Sequence, residues 1–136
     1  MRIGFSAADP RPDKPRAGAE AAKASTRRHL CERLERARAH LHEHCDRNVA
    51  LAELAAVAGV SRFHLARYFK LAFGAAPIAY HRGLRLARAA ELLASGGRSL
   101  AEAAEAAGYS DAAALSHAFR RRYGRTPRQW AIAARG

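Results

Sequence analysis

The chain repeats itself. LAELAAVAG at 51–59 recurs as LAEAAEAAG at 100–108, an offset of 49, and FKLAFGAAPIAY at 69–80 recurs as FRRRYGRTPRQW at 119–130, an offset of 50. The matches align Gly59 with Gly108, Phe69 with Phe119, Gly74 with Gly124 and Pro77 with Pro127, which alanine-rich helices do not readily do by chance. In a chain of 136 residues this restricts the fold to two copies of one small unit. The second copy carries one extra residue between its glycine and its phenylalanine, in the turn or at the start of the helix that follows.

The first copy reads as helix, tight turn, helix. Leu51, Leu54, Ala55 and Ala58 recur at helical spacing, Gly59 suits the left-handed residue that ends a helix, and Ser61 suits an N-cap. Ala55 is small enough for close approach of the two helices, and Leu65 and Phe69 place an apolar stripe on the inner side of the second. Arg62, Phe63, Ala66, Arg67 and Lys70 are left on an outer face, as on a recognition helix in a DNA major groove. The bland reading of this stretch is a helical hairpin with a solvated basic face.

Around the repeat the chain divides simply. Residues 1–25 hold three of the five prolines and few large apolar side chains, so they are expected to form a flexible arm. Leu30, Leu34, Ala37 and Leu41 mark a first helix from Ser25 or Thr26 to about Cys45. The expected fold is all-α, with about seven helices in a two-unit domain over 26–136. A first helix-turn-helix at 51–73, a linking helix at 77–94 and a second helix-turn-helix at 99–123 form its body, and Pro127 opens a last short helix. The linking helix would be roughly 27 Å long, and successive major grooves on one side of B-DNA lie about 34 Å apart. One monomer could therefore reach two adjacent grooves.

The formal charge of +12, with a pI near 11.1, favours a polyanion such as nucleic acid over a membrane surface. Arginine so outnumbers lysine, and alanine is so abundant, that genomic composition accounts for part of that count. No apolar run is long enough to span a bilayer and no signal-peptide core is visible, so a cytoplasmic protein is expected. Cys31 and Cys45, expected on one helix about 21 Å apart, cannot bridge there and read as inert thiols. His40, His42, His44 and Cys45 form a dense run in which His40 and His44 share a face. With no CxxC and no distant third histidine motif, it reads as a solvated helix face: no metal and no cofactor are expected. No catalytic motif such as GxSxG, HExxH or a phosphate loop is present, so the chain does not read as an enzyme.

At this point the residues resemble the AraC/XylS-type family of bacterial transcription regulators, over roughly 34–131. The first unit matches through Leu54-Ala55, Gly59, Ser61, Leu65, Arg67, Phe69-Lys70, Gly74, Pro77, Tyr80, Arg85-Leu86 and Ala89. The second matches through Ala104, Gly108-Tyr109-Ser110-Asp111, Leu115, Phe119-Arg120, Tyr123-Gly124, Thr126-Pro127 and Trp130. The resemblance implies a seven-helix DNA-binding domain that regulates, usually activates, transcription, and it is nearest to small stand-alone members whose activity is set by abundance. Double-stranded DNA is the expected partner, bound as a monomer, with RNA polymerase a second partner for an activator. The candidate DNA-binding residues are Ser61, Arg62, Phe63, His64, Arg67 and Lys70 in the first unit, and Ser110, Ser116, His117, Arg120 and Arg121 in the second. The second unit departs from the family pattern: Ala112, Ala113 and Ala114 open its recognition helix, Leu115 replaces the usual phenylalanine, and His117 stands where arginine is frequent. Alanine touches a thymine methyl but makes no bidentate bond to a base, so this unit is expected to supply affinity more than sequence choice. The alternatives are a non-specific architectural nucleic-acid binder, for which charge alone would suffice, and a small metal- or redox-responsive switch.

Overall fold

The computed structural model describes residues 17–135, with side chains from 24 to 133. Residues 1–16, most of the expected arm, lie outside the described residues. The described chain is seven helices and no strand: α1 Ala17–Glu43, α2 Leu51–Ala58, α3 Arg62–Phe73, α4 Pro77–Ala94, α5 Leu100–Ala106, α6 Ala112–Tyr123 and α7 Pro127–Arg135. Helix α1 starts earlier than the hydrophobic stripe implied, because its first turns, AGAEAAKA, are rich in alanine, the strongest helix former. It also stops earlier, so Cys45 lies in the turn after the helix rather than on it. There its Sγ bonds the carbonyls of His42 and Leu41, and burial pushes the thiol's pKa up.

The chain forms two compact units. Among the described residues, one comprises 17–40 with Ala50–Pro77, and the other Leu41–Val49 with 78–135. In the first, Leu34 and Ala37 of α1, Leu54, Ala55 and Ala58 of α2, and Leu65, Phe69 and Ala72 of α3 are buried. Phe69 meets Phe73 edge to face at 4.7 Å, Arg38 stacks on Phe73 at 4.8 Å, and His40 bonds Glu53 at 2.7 Å. In the second, Leu86, Ala89, Ala90, Leu93, Ala103, Ala104, Ala107, Leu115, Phe119 and Ala131 form one core, with Tyr123 and Trp130 packed on Phe119. His81, 2% exposed, donates from Nε2 to the His44 carbonyl at 2.7 Å.

The repeat extends further back than the two matched stretches. Arg33, Leu34, Arg36, Ala37 and Leu41 of α1 stand at an offset of 52 from Arg85, Leu86, Arg88, Ala89 and Leu93 of α4. The apolar members of both sets are buried. The repeated unit is therefore three helices, α1–α2–α3 and α4–α5–α6.

The extra residue sits in the second turn. Val60 N–H bonds the Ala55 carbonyl at 3.1 Å, and Tyr109 N–H bonds that of Ala104 at 2.9 Å, so these two residues are equivalent at offset 49. The N-caps Ser61 and Asp111 are equivalent at offset 50, and α3 and α6 are both 12 residues long. Ser110 is the insertion, and it leaves the phase of the recognition helix untouched.

The two turn glycines are both left-handed but sit in different surroundings. Gly59 has φ +70 and open space around it, whereas at Gly108, φ +79, a Cβ would lie 2.7 Å from the Arg47 Cα. Gly59→Ala is expected to cost only the left-handed strain, about 1–2 kcal/mol. Gly108→Ala should exceed that by at least another 1 kcal/mol or so of overpacking, read as the lower urea midpoint of the two variants.

Candidate nucleic-acid interface

Each recognition helix starts at a side-chain cap. Ser61 Oγ accepts the His64 N–H at 3.1 Å, and Asp111 Oδ1 accepts the Ala114 N–H at 2.8 Å. These caps satisfy N–H groups the helix leaves unpaired, and they set which side chains follow on which face. With Leu65 and Phe69 turned fully inward, Ser61, Arg62, Phe63, His64, Arg67 and Lys70 are all exposed, Phe63 at 70%. His64 stacks on Tyr68 at 5.9 Å and lies 5.8 Å from Phe63, so an aromatic strip runs beside the cations. His64 and Tyr68 also border an open groove of about 430 Å³ whose other walls are Thr26, His29, Leu30, Arg33 and Val60.

On α6, Leu115 and Phe119 are fully buried, while His117, Arg120 and Arg121 are exposed and Ser116 is half-buried; Ser110, in the turn before the helix, is exposed. At offset 50, Arg62, Phe63 and His64 correspond to Ala112, Ala113 and Ala114, Arg67 to His117, and Lys70 to Arg120. The two helices thus present matching frames with different chemistry. The first offers cations and rings through its first two turns; the second offers methyl groups, then a hydroxyl and an imidazole, then guanidiniums.

Three arginines hold these frames from behind. Helices α2 and α5 have no basic residue in their last turns. In the first unit Arg33 of α1 donates to the Gly59 carbonyl at 3.0 Å. In the second, Arg85 of α4 donates from Nε to the Ala107 carbonyl at 2.9 Å and from Nη2 to that of Gly108 at 2.7 Å, and Arg88 donates to that of Ala106 at 2.9 Å. A cation at the carbonyl end of a helix satisfies unpaired acceptors and complements the dipole. Arg85 also lies over the Tyr109 ring at 4.4 Å. The Tyr109 hydroxyl is buried with no hydrogen-bond partner among the described residues, and burial raises its pKa against the opposing charges of Arg85 and Arg82. Sequence reasoning noted Arg85 only as a family match and gave Arg33 and Arg88 no role. The signal that would have found them is the third register of the repeat, at offset 52.

Comparison with known proteins places this geometry. The helix-turn-helix domain family matches residues 54–132. A putative AraC-like transcription regulator of Streptomyces lividans is 40% identical over 87 residues, which are 64% of this chain and 29% of that protein. The chain thus spans less than a third of that relative's length. Among solved structures, the C-terminal domain of AraT, a response regulator from Geobacillus stearothermophilus, superposes with a TM-score of 0.72 at 30% identity, covering 76% of this chain and 87% of its own. The DNA-binding domain of AdpA, a global transcriptional factor, in complex with a target DNA, superposes at 0.71 and 31% identity, covering 75% and 92%.

Arg85→Ala removes both bonds to the second turn and is expected to destabilise the protein by about 3 kcal/mol, since part-buried bonds to a charged donor contribute about 1.5–3 kcal/mol each and are not additive. Arg85→Lys keeps the charge without the planar fork and should recover only part of this. Arg33→Ala, which loses one exposed bond, should cost about 1 kcal/mol. Thermal unfolding of the three variants checks the order.

Proposed function

This chain belongs to the AraC-type family of helix-turn-helix DNA-binding transcription regulators, and from that premise we propose that one monomer reads one site with both recognition helices in adjacent major grooves and acts as an activator. The observation that carries this reading is the duplicated unit itself: two capped helices of equal length in one chain, each with its polar face exposed. The 18-residue α4, about 27 Å long, suits one groove repeat of about 34 Å once the width of a unit is added. Double-stranded DNA is the partner, and RNA polymerase is the second partner an activator requires. No described helix is long and apolar enough to cross a membrane.

In this reading Arg62, Phe63, His64 and Arg67 approach the base edges, while Ser61, Lys70, Ser110, Ser116, Arg120 and Arg121 approach phosphates. His117, in the register position of Arg67, is the remaining side chain in the entry turns of α6 that could read a base. Sequence choice is then concentrated in the half-site facing α3.

Selection of sites from random duplexes, followed by footprinting, is expected to yield a non-palindromic site of about two turns filled by one monomer; competition by random duplex at equal affinity would point to architectural binding instead. Scrambling the half facing α3 should cost more affinity than scrambling the half facing His117, and equal losses would refute the asymmetry. Arg67→Ala should erase about 1–3 kcal/mol of discrimination at one base pair, whereas Lys70→Ala should weaken all sequences alike.

A further inference from the structure

We infer that Arg120, Arg121, Arg125 and Arg128 form one phosphodiester-binding surface on the second unit, continuing past α6 onto α7, and that the first unit has no counterpart of it. The inference rests on reading the chain as a DNA-binding regulator and says where its electrostatic affinity is concentrated. After Asp111 the remaining 25 residues contain no acidic side chain and six arginines, which is half of the formal charge of +12. Arg120, Arg121, Arg122, Arg125 and Arg128 are all exposed, and among the described residues none of the five is paired with a carboxylate. Arg122 is directed over the Tyr123 ring at 5.8 Å, which leaves the other four as the open set.

The register of the repeat makes the contrast specific. At offset 50 the counterparts of Arg120, Arg121, Arg122, Arg125 and Arg128 are Lys70, Leu71, Ala72, Ala75 and Ile78. One cation stands in the first copy where five stand in the second. Leu71 and Ile78 are 51% and 41% exposed, so at the positions of Arg121 and Arg128 the difference is not forced by packing, whereas Ala72, opposite Arg122, is buried in the first core.

The chemistry selects the partner. Planar guanidinium forks bind phosphate oxygens bidentately, and their weak hydration lowers the cost of the contact. The surface depends on these side chains and not on the α7 N-terminus, where Thr126 Oγ1 accepts the Gln129 N–H at 3.1 Å and Gln129 Oε1 accepts the Thr126 N–H at 3.0 Å. A single-stranded RNA would call for rings on which bases stack. The nearest rings, Tyr123 and Trp130, are instead half-buried against Phe119. The backbone of a duplex is what remains.

The test is the salt dependence of duplex binding by the full chain. An Arg125→Gln/Arg128→Gln variant should lower the slope of log K against log salt by about 1.8, at about 0.9 per phosphate, so its deficit relative to wild type shrinks about twelvefold between 50 and 200 mM salt. The selected sequence should stay the same. An Arg28→Gln/Arg36→Gln variant of exposed α1 arginines should leave the slope unchanged. An unchanged slope in the Arg125→Gln/Arg128→Gln variant, an equal drop in the α1 variant, an altered base preference, or a larger loss on single-stranded RNA than on duplex would each overturn the inference. Wild-type protein that binds duplex without sequence preference would refute the proposed function, while the slopes measured on random duplex would still decide this one.

Discussion

Arginine side chains bonded to the last carbonyls of a short helix hold each reading frame in place. Helices α2 and α5, at 8 and 7 residues, are too short to persist alone, and each ends in acceptors its own sequence leaves unpaired. Arg33 supplies the missing donor in the first unit, and Arg85 with Arg88 does so in the second. The turn carrying those carbonyls leads directly to the cap of the recognition helix. The position of α3 or α6 therefore depends on a residue that comes before the whole motif, on the helix behind it.

Most of this architecture was legible in the sequence because its punctuation is local. Gly59 ends a helix in the left-handed conformation, Ser61 caps one and Pro127 opens one, all as read from residue type alone. What was not legible depended on partners far along the chain. The start of α1 has no apolar stripe to mark it, so alanine propensity decided a boundary that periodicity could not. The roles of Arg33 and Arg88 required knowing which carbonyls lie within reach. The location of the extra residue required the bond from Tyr109 to Ala104, since sequence alone allowed it in the turn or in the helix.

The candidate interface was legible in its frame and less so in its extent. Inward leucine and phenylalanine at Leu65, Phe69, Leu115 and Phe119 oblige the intervening polar residues to face outward, and the structure places them there. Arg125 and Arg128 escaped notice because they lie outside the helix-turn-helix pattern. They stand out only when the two copies are compared position by position at the surface. The two copies share the buried pairs Leu65/Leu115 and Phe69/Phe119 and a side-chain cap at the start of each recognition helix, whereas their exposed positions differ, with cations in one copy standing opposite alanine or aliphatic side chains in the other.

The short span of the arginine contacts bears on how the chain folds. Arg33 reaches Gly59 across 26 positions and Arg85 reaches Gly108 across 23, so each three-helix unit closes on itself within a short length of chain. Loop-closure entropy for such distances is small, and low contact order goes with rapid folding. A ribosome releasing this chain delivers α1, α2 and α3 in sequence before any of α5 or α6 exists. The first unit has its arginine, its turn and its recognition helix available at that moment, and the second then repeats the process on its own residues. The tandem order of the helices thus lets the first unit assemble while the second is still being made.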